Sequence, residues 1–152
     1  MDRRDTSVVV RNINKRYRVN ERFIKKVAGE ALLFLKKPLR GDKLEVIFLS
    51  DASIRPINKR YKGRDRSTDV LSFDLGQLKE ILISSDTAWK NSKRFNSSFE
   101  NELVLYVIHG ILHLSGYDDG TIPEKRRMSS KEEKILRRLC KSENLSKVLM
   151  RP

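Results

Sequence analysis

Apolar positions change their period several times along this chain, and each change predicts an element. Ser7-Val8-Val9-Val10 is short and β-branched and reads as a strand. From Asn20 the spacing becomes helical. Phe23, Ile24, Val27, Ala28, Ala31, Leu32 and Leu35 fall on one face, and Pro38 and Gly41 close the segment. Leu44 to Leu49 predicts a second strand. Asp51 and Ser53 are candidate caps for a helix running toward Tyr61, with Pro56 near its first turn. Asp69 to Leu75 alternates, which puts Leu71, Phe73 and Leu75 on one face. Glu80 to Ser84 predicts a fourth strand, and Gly76-Gln77 between the two predicts an antiparallel hairpin.

The second half reads as helical. Ser85-Asp86 starts a helix through Trp89 toward Phe95. Ser97 and Glu100 match a capping box for the next helix. That helix carries Leu103, Tyr106, Val107, Ile108, Ile111 and Leu112, apolar on most sides, so it should be central and buried. It should stop at Gly116 in a left-handed cap. Ser129/Glu132 and Ser130/Glu133 are overlapping capping boxes for a last helix through Ile135, Leu136 and Leu139. The predicted fold class is α+β, a small mixed four-stranded sheet packed with about five helices. Residues 1–152 are expected to form a single domain, which suits the length.

Charge changes this picture more than composition does. The chain is 38% apolar, enough to fill one core, and has a net charge of +13. Charged residues make up 35% of it, against about 25% in average domains. A well-solvated surface accounts for many charges but not for their one-sided sign. A polyanion, most commonly nucleic acid, is the expected partner. The charged start, Met1 to Thr6, lacks a signal-peptide core, and there is no run of 18 apolar residues, so no membrane partner is expected. The lone Cys140 excludes an internal disulfide and fits a reducing cytoplasm. Beside Leu136 and Leu139, it is expected to be a packed structural cysteine.

The candidate chemistry lies in His109-Gly110-Ile111-Leu112-His113-Leu114-Ser115-Gly116-Tyr117-Asp118-Asp119, which holds both histidines of the chain. Four residues apart on a helix, two imidazoles point the same way, one turn apart. Gly116 then lets the chain reverse, Tyr117 can pack under the turn, and Asp118 or Asp119 returns to the same place. A lone histidine on a buried helix is usually a hydrogen-bonded core group. Two imidazoles and a returning carboxylate are instead the donor set of a divalent metal such as zinc. Three protein ligands leave one position for water, the pattern of a catalytic rather than a structural site. The spacing also matches the long metzincin peptidase signature, with the glycine in register. The peptidase's general-base glutamate, however, is replaced by Gly110. Without that proton acceptor, a metalloprotease is disfavoured.

The same residues resemble the signature of the bacterial YbeY family, His-Gly-x-Leu-His-Leu-x-Gly-Tyr-Asp followed by a ligand. A second stretch, from Ile57-Asn58-Lys59-Arg60-Tyr61 through Thr68-Asp69-Val70-Leu71-Ser72-Phe73, is similar to that family's other motif, and Glu80-Ile81-Leu82-Ile83 is a weaker match. The likeness covers roughly residues 5 to 142. It implies a zinc-dependent endoribonuclease acting on single-stranded RNA. It further implies maturation of the 3′ end of small-subunit ribosomal RNA, ribosome quality control and a cytoplasmic location, with no DNA as substrate. The resemblance places one zinc on His109, His113 and Asp119, where Asp119 stands at the family's usual third histidine. Asp118 is left to orient the turn or a histidine N–H. The family's functional arginine aligns with Lys62 and its following lysine with Arg64, so the two cations are exchanged; both are expected to hold the scissile phosphate. Tyr61 is the expected base-stacking aromatic. The competing expectation is a non-catalytic RNA-binding ribosome-assembly factor whose zinc is structural.

Overall fold

The computed structural model describes residues 6–35, 38–41 and 43–150. The charged stretch Met1 to Asp5 lies outside the described residues. The elements, in chain order, are β1 (Ser7–Asn12), α1 (Glu21–Leu33), β2 (Lys43–Leu49), α2 (Asp51–Lys62), β3 (Val70–Leu75), β4 (Leu78–Ser84), α3 (Ser85–Arg94), α4 (Phe99–Leu114) and α5 (Ile122–Ser142), and a 3-10 turn follows at Leu145–Val148. The expected α+β class, mixed four-stranded sheet and five helices are all present.

The sheet order is β1-β2-β4-β3. β2 runs parallel to β1 and to β4, while β3 is the antiparallel edge. Leu75 pairs with Leu78, so Gly76-Gln77 is the whole hairpin turn; Gly76 takes φ 86°, which glycine adopts without steric cost. Alternation sorts the two faces of the sheet. Leu44, Val46, Phe48, Ile81 and Ile83 join the main core with α1 and α4. Leu49, Leu71 and Leu82 face the other way, where α2 covers them with Ile54 and Ile57. Leu75 shares the parity of Leu71 but stays exposed, at the hollow between α2 and the sheet.

Helix α4 is the axis of the main core. Leu103, Val104, Val107, Ile108, Ile111 and Leu112 are fully buried, each contributing about 1.5–3 kcal/mol by transfer from water. The helix touches α1, α3, α5, β3 and β4. Its tight seat on the sheet requires Gly110: a Cβ there would lie 2.6 Å from Ile81 Cγ2.

Several expected boundaries shift. Ser50 caps α2 by accepting from the Ser53 N–H, not Asp51 or Ser53. Pro56 therefore falls in the second turn. Ser98 rather than Ser97 caps α4, and the Ser97 hydroxyl bonds Glu102 instead. Helix α5 begins two turns earlier than expected, because Thr121 accepts from the Glu124 N–H and Pro123 fits the first turn. Ser129 and Ser130 are interior, exposed residues of that helix. Cys140 is exposed, contrary to the packed role expected of it, because Leu139 takes the inward position beside it.

Candidate metal centre

The C-terminus of α4 is shaped to return a carboxylate to its own histidines. The Tyr117 N–H donates to the Leu112 carbonyl (3.0 Å) and the Gly116 N–H to that of His113 (3.1 Å). Together these two bonds make a Schellman motif, and Gly116 at φ 105° supplies its left-handed residue. Tyr117 packs against the core beneath the turn. The chain then doubles back, and Asp118 fixes the reversal by accepting the Asp119 N–H at 2.8 Å.

His109, His113 and Asp119 are brought together. Asp119 Oδ2 lies 3.5 Å from His113 Nε2 and 3.9 Å from His109 Nε2. One donor atom from each residue fits within 4.8 Å of the others. Two donors on a tetrahedral zinc, each about 2.0–2.1 Å away, stand about 3.3–3.4 Å apart. The two carboxylate–imidazole separations need only a small contraction. The three residues fit a divalent ion, and they are half-buried or exposed, so the fourth side stays accessible.

A fourth residue, Glu132 of α5, completes the arrangement. Its Oε1 meets His109 Nδ1. A carboxylate only accepts, so Nδ1 carries the proton and Nε2 keeps its lone pair toward Asp119. Burial works to lower the His109 pKa, but the hydrogen bond and charge of Glu132 outweigh it and hold the value above the ordinary one. Asp118 orients the turn, as expected of it, but the histidine N–H is met by Glu132, which the sequence pattern assigns to a helix cap. The error came from the start of α5. Nothing in the local pattern around position 132 signals contact with position 109.

The centre opens into a cleft of about 570 Å³ whose walls include Lys62, Arg64, Asp69, Ser72, Asp74 and Asp118. Lys62 is the last residue of α2, and Gly63 caps that helix at φ 68°, turning Arg64 toward the same cleft. The loop is held to α2 by buried Asn58, which donates to the Arg66 carbonyl (2.9 Å), and by the Arg55–Asp65 ion pair (3.0 Å). Asn58 and Asp69 both lie in the second motif, but no spacing within it marks either as a site residue. Asp69 accepts the Val70 N–H (2.8 Å) and faces the cleft beside β3. Tyr61, although 59% exposed, stacks edge-on with Phe73 in a different hollow, between α2 and the sheet. The peptidase reading fails on packing as well as on sequence. Position 110 faces Ile81, so a glutamate there would be aimed at the core and would have to displace that buried side chain.

Comparison with known proteins agrees with this geometry. The family described as Endoribonuclease YbeY matches residues 9–140. The Endoribonuclease YbeY of Geobacter sulfurreducens is 34% identical over 84% of this chain and 92% of its own. That of Desulforamulus reducens is 35% identical over 88% of this chain and 97% of its own. A solution structure of a Thermotoga maritima protein, 28% identical, superposes with a TM-score of 0.65 over 89% of this chain and 90% of that one. With the family matched over nearly all its elements and relatives aligned along most of their length, this chain belongs to the YbeY family.

Proposed function

We propose that this chain is a zinc-dependent endoribonuclease that cuts single-stranded RNA, with the ion on His109, His113 and Asp119 and the scissile phosphate held by Lys62 and Arg64. The relatives' shared name, Endoribonuclease YbeY, supports the reaction class. The observation that carries the reading for this chain is the shared cleft: one hollow is lined by the three candidate ligands and by both cations. Charge favours a cation there. Asp74 is paired with Lys79 (2.5 Å), which leaves Asp69, Asp118 and Asp119 facing Lys62 and Arg64. The walls alone would repel a phosphodiester, and a divalent ion reverses the sign.

When bound, such an ion polarises a phosphoryl oxygen and lowers the pKa of a coordinated water. The protein's own groups do the rest. Lys62 offers a mobile point charge and Arg64 a planar fork to the non-bridging oxygens, offsetting charge that builds in the transition state. Glu132 holds the His109 ring in one tautomer. Asn58 keeps the cation-bearing loop in place. The proposal extends to one catalytic domain over residues 1–152, working in the cytoplasm on small-subunit ribosomal RNA near its 3′ end, on or beside the ribosome. The main core supports a single unit, since it joins residues from Val8 to Val148. Among the described residues no helix is long and apolar enough to cross a membrane.

The test is bound metal and cleavage of a single-stranded RNA by wild type, His113→Ala and Lys62→Ala. His113→Ala should lose metal and cleavage together. Lys62→Ala should keep the metal and lose about 10²-fold or more in rate, as removal of a transition-state charge partner does. Cleavage that survives metal removal would overturn the proposal, and a metal-loaded protein that binds RNA without cutting it would restore the assembly-factor reading.

A further inference from the structure

Helix α5 carries a line of cations that the metal centre does not use. Arg127, Lys131, Lys134, Arg138 and Lys141 recur four, three, four and three residues apart. At 3.6 residues per turn they fall within about 80° of arc and span about 21 Å. Glu132 is off this line, turned inward to His109. A merely solvated face would need no hollows along it, yet three run end to end. The first lies between α5 and the Ser115–Asp118 turn; it is lined by Arg127 and Lys131 and shares Asp118 with the metal cleft. Lys131 also lines the second, together with Lys134, Arg138 and Lys141 around Phe34 and Ile135. Phe34, Arg138 and Lys141 continue into the third, which adds Leu33, 81% exposed.

We propose that this face of α5 extends the substrate groove and holds the single-stranded RNA that flanks the scissile phosphate; the inference rests on the endoribonuclease reading above. The chemistry fits a single strand better than a duplex. Cations line the hollows for phosphates, while Phe34 and the exposed Leu33 offer apolar surface on which an unpaired base can lie. The Arg138 guanidinium stands 5.5 Å from the Phe34 ring centroid, the aromatic–arginine pairing on which bases stack in sequence-tolerant grooves. A span of about 21 Å accommodates a few nucleotides, near the low end of the roughly 4–16 found for single-strand sites.

Two variants separate the two contributions. The fourfold Lys131→Ala/Lys134→Ala/Arg138→Ala/Lys141→Ala protein and Phe34→Ala are compared with wild type for binding a labelled oligouridine of about twenty nucleotides across a salt series, metal withheld by chelator so that the strand stays intact. Each phosphate contact contributes about 0.7 to the slope of log affinity against log salt for a single strand. The fourfold variant should therefore lose about 3 from that slope. Phe34→Ala should weaken binding about 5- to 150-fold, the size of one lost base stack, and leave the slope unchanged. A fourfold variant with wild-type slope and affinity would overturn the groove. No RNA binding by wild type would overturn it too, and would point to an acidic protein as the occupant of the stripe. Cleavage by metal-loaded wild type, read on the same RNA, keeps the two inferences apart. Cleavage with an unchanged slope removes the groove alone, whereas no cleavage with a reduced slope removes the nuclease and retains the groove.

Discussion

At the scale of residues, the centre rests on two positions outside the candidate ligand set, Glu132 and Gly110. Glu132 fixes the His109 tautomer from another helix. In Glu132→Gln the amide can still accept from Nδ1–H, but the charge is gone. Metal affinity should fall about 10- to 100-fold, and Glu132→Ala should do at least as badly. A calorimetric titration that finds wild-type affinity in both would remove Glu132 from the centre. Gly110 acts through space rather than charge. An alanine there gains up to about 1 kcal/mol of helix propensity but must displace Ile81, which is fully buried, at about 1–3 kcal/mol. Packing wins over most of that range, so Gly110→Ala should destabilise the protein by up to about 2 kcal/mol. Gly29 in α1 has no atom within 4 Å of a would-be Cβ, so Gly29→Ala should instead stabilise it by about 0.5–1 kcal/mol. Urea unfolding reads both, and equal signs would refute the packing account. The candidate ligands His109, His113 and Asp119 and the cleft-lining cations Lys62 and Arg64 were legible as candidates in the sequence, because a short motif carries each set. Glu132 was not, since its role exists only once two helices have packed.

Individual elements were readable where local chemistry is unambiguous and misread where two start signals compete. Gly116 stops α4 as its position demands, and Gly76-Gln77 makes the hairpin that its neighbours frame. In α5, by contrast, three Ser/Thr-x-x-Glu patterns lie within thirteen residues, Thr121 to Glu133. The first prevails because Pro123 suits a first turn and because starting there lets Met128 reach the core. Those extra turns also carry Arg127 to the hollow that shares Asp118 with the cleft. Asp51 shows another conversion of a local signal into a tertiary one. Read as a cap for α2, it instead ties α2 to α3, accepting from Ser84 Oγ and Thr87 Oγ1 (both 2.6 Å) and from Lys90 Nζ (2.7 Å). Burial alone would raise its pKa, but those three donors prevail and hold it below the usual carboxylate value. A depressed folded pKa means stability that is present above the unfolded value, near 3.9, and is lost as pH falls through the folded one. Asp51→Asn should therefore cost about 1–3 kcal/mol at pH 7, and the gap to wild type should close as pH drops below about 4. A gap that stays constant between pH 7 and pH 3 would mean that the carboxylate's charge plays no part.

For the whole molecule, the strand order was the least legible feature. Period and turns identify four strands, but no local signal says that β4 inserts between β2 and β3; that follows from burying both faces at once, with α2 on one side and α4 on the other. The same architecture predicts how the protein responds to losing its ion. All three candidate ligands lie within residues 109–119, at one end of α4, whereas the main core runs from Val8 to Val148 without them. A metal that built the fold would have ligands joining distant elements. Here an ion on the candidate ligands would tie a single turn to the helix that precedes it. Binding then stabilises only by mass action, about 2.7 kcal/mol when free metal is a hundredfold above Kd. For a chain of this length each kcal/mol moves Tm by about 2–4 °C. Chelation should thus lower Tm by about 5–10 °C while leaving a cooperative, single unfolding transition and native helix content at 25 °C. Complete unfolding on chelation would assign the ion a structural role and favour the assembly-factor reading. No shift at all, in protein loaded with stoichiometric zinc, would mean that the histidine–aspartate turn is not where the ion binds.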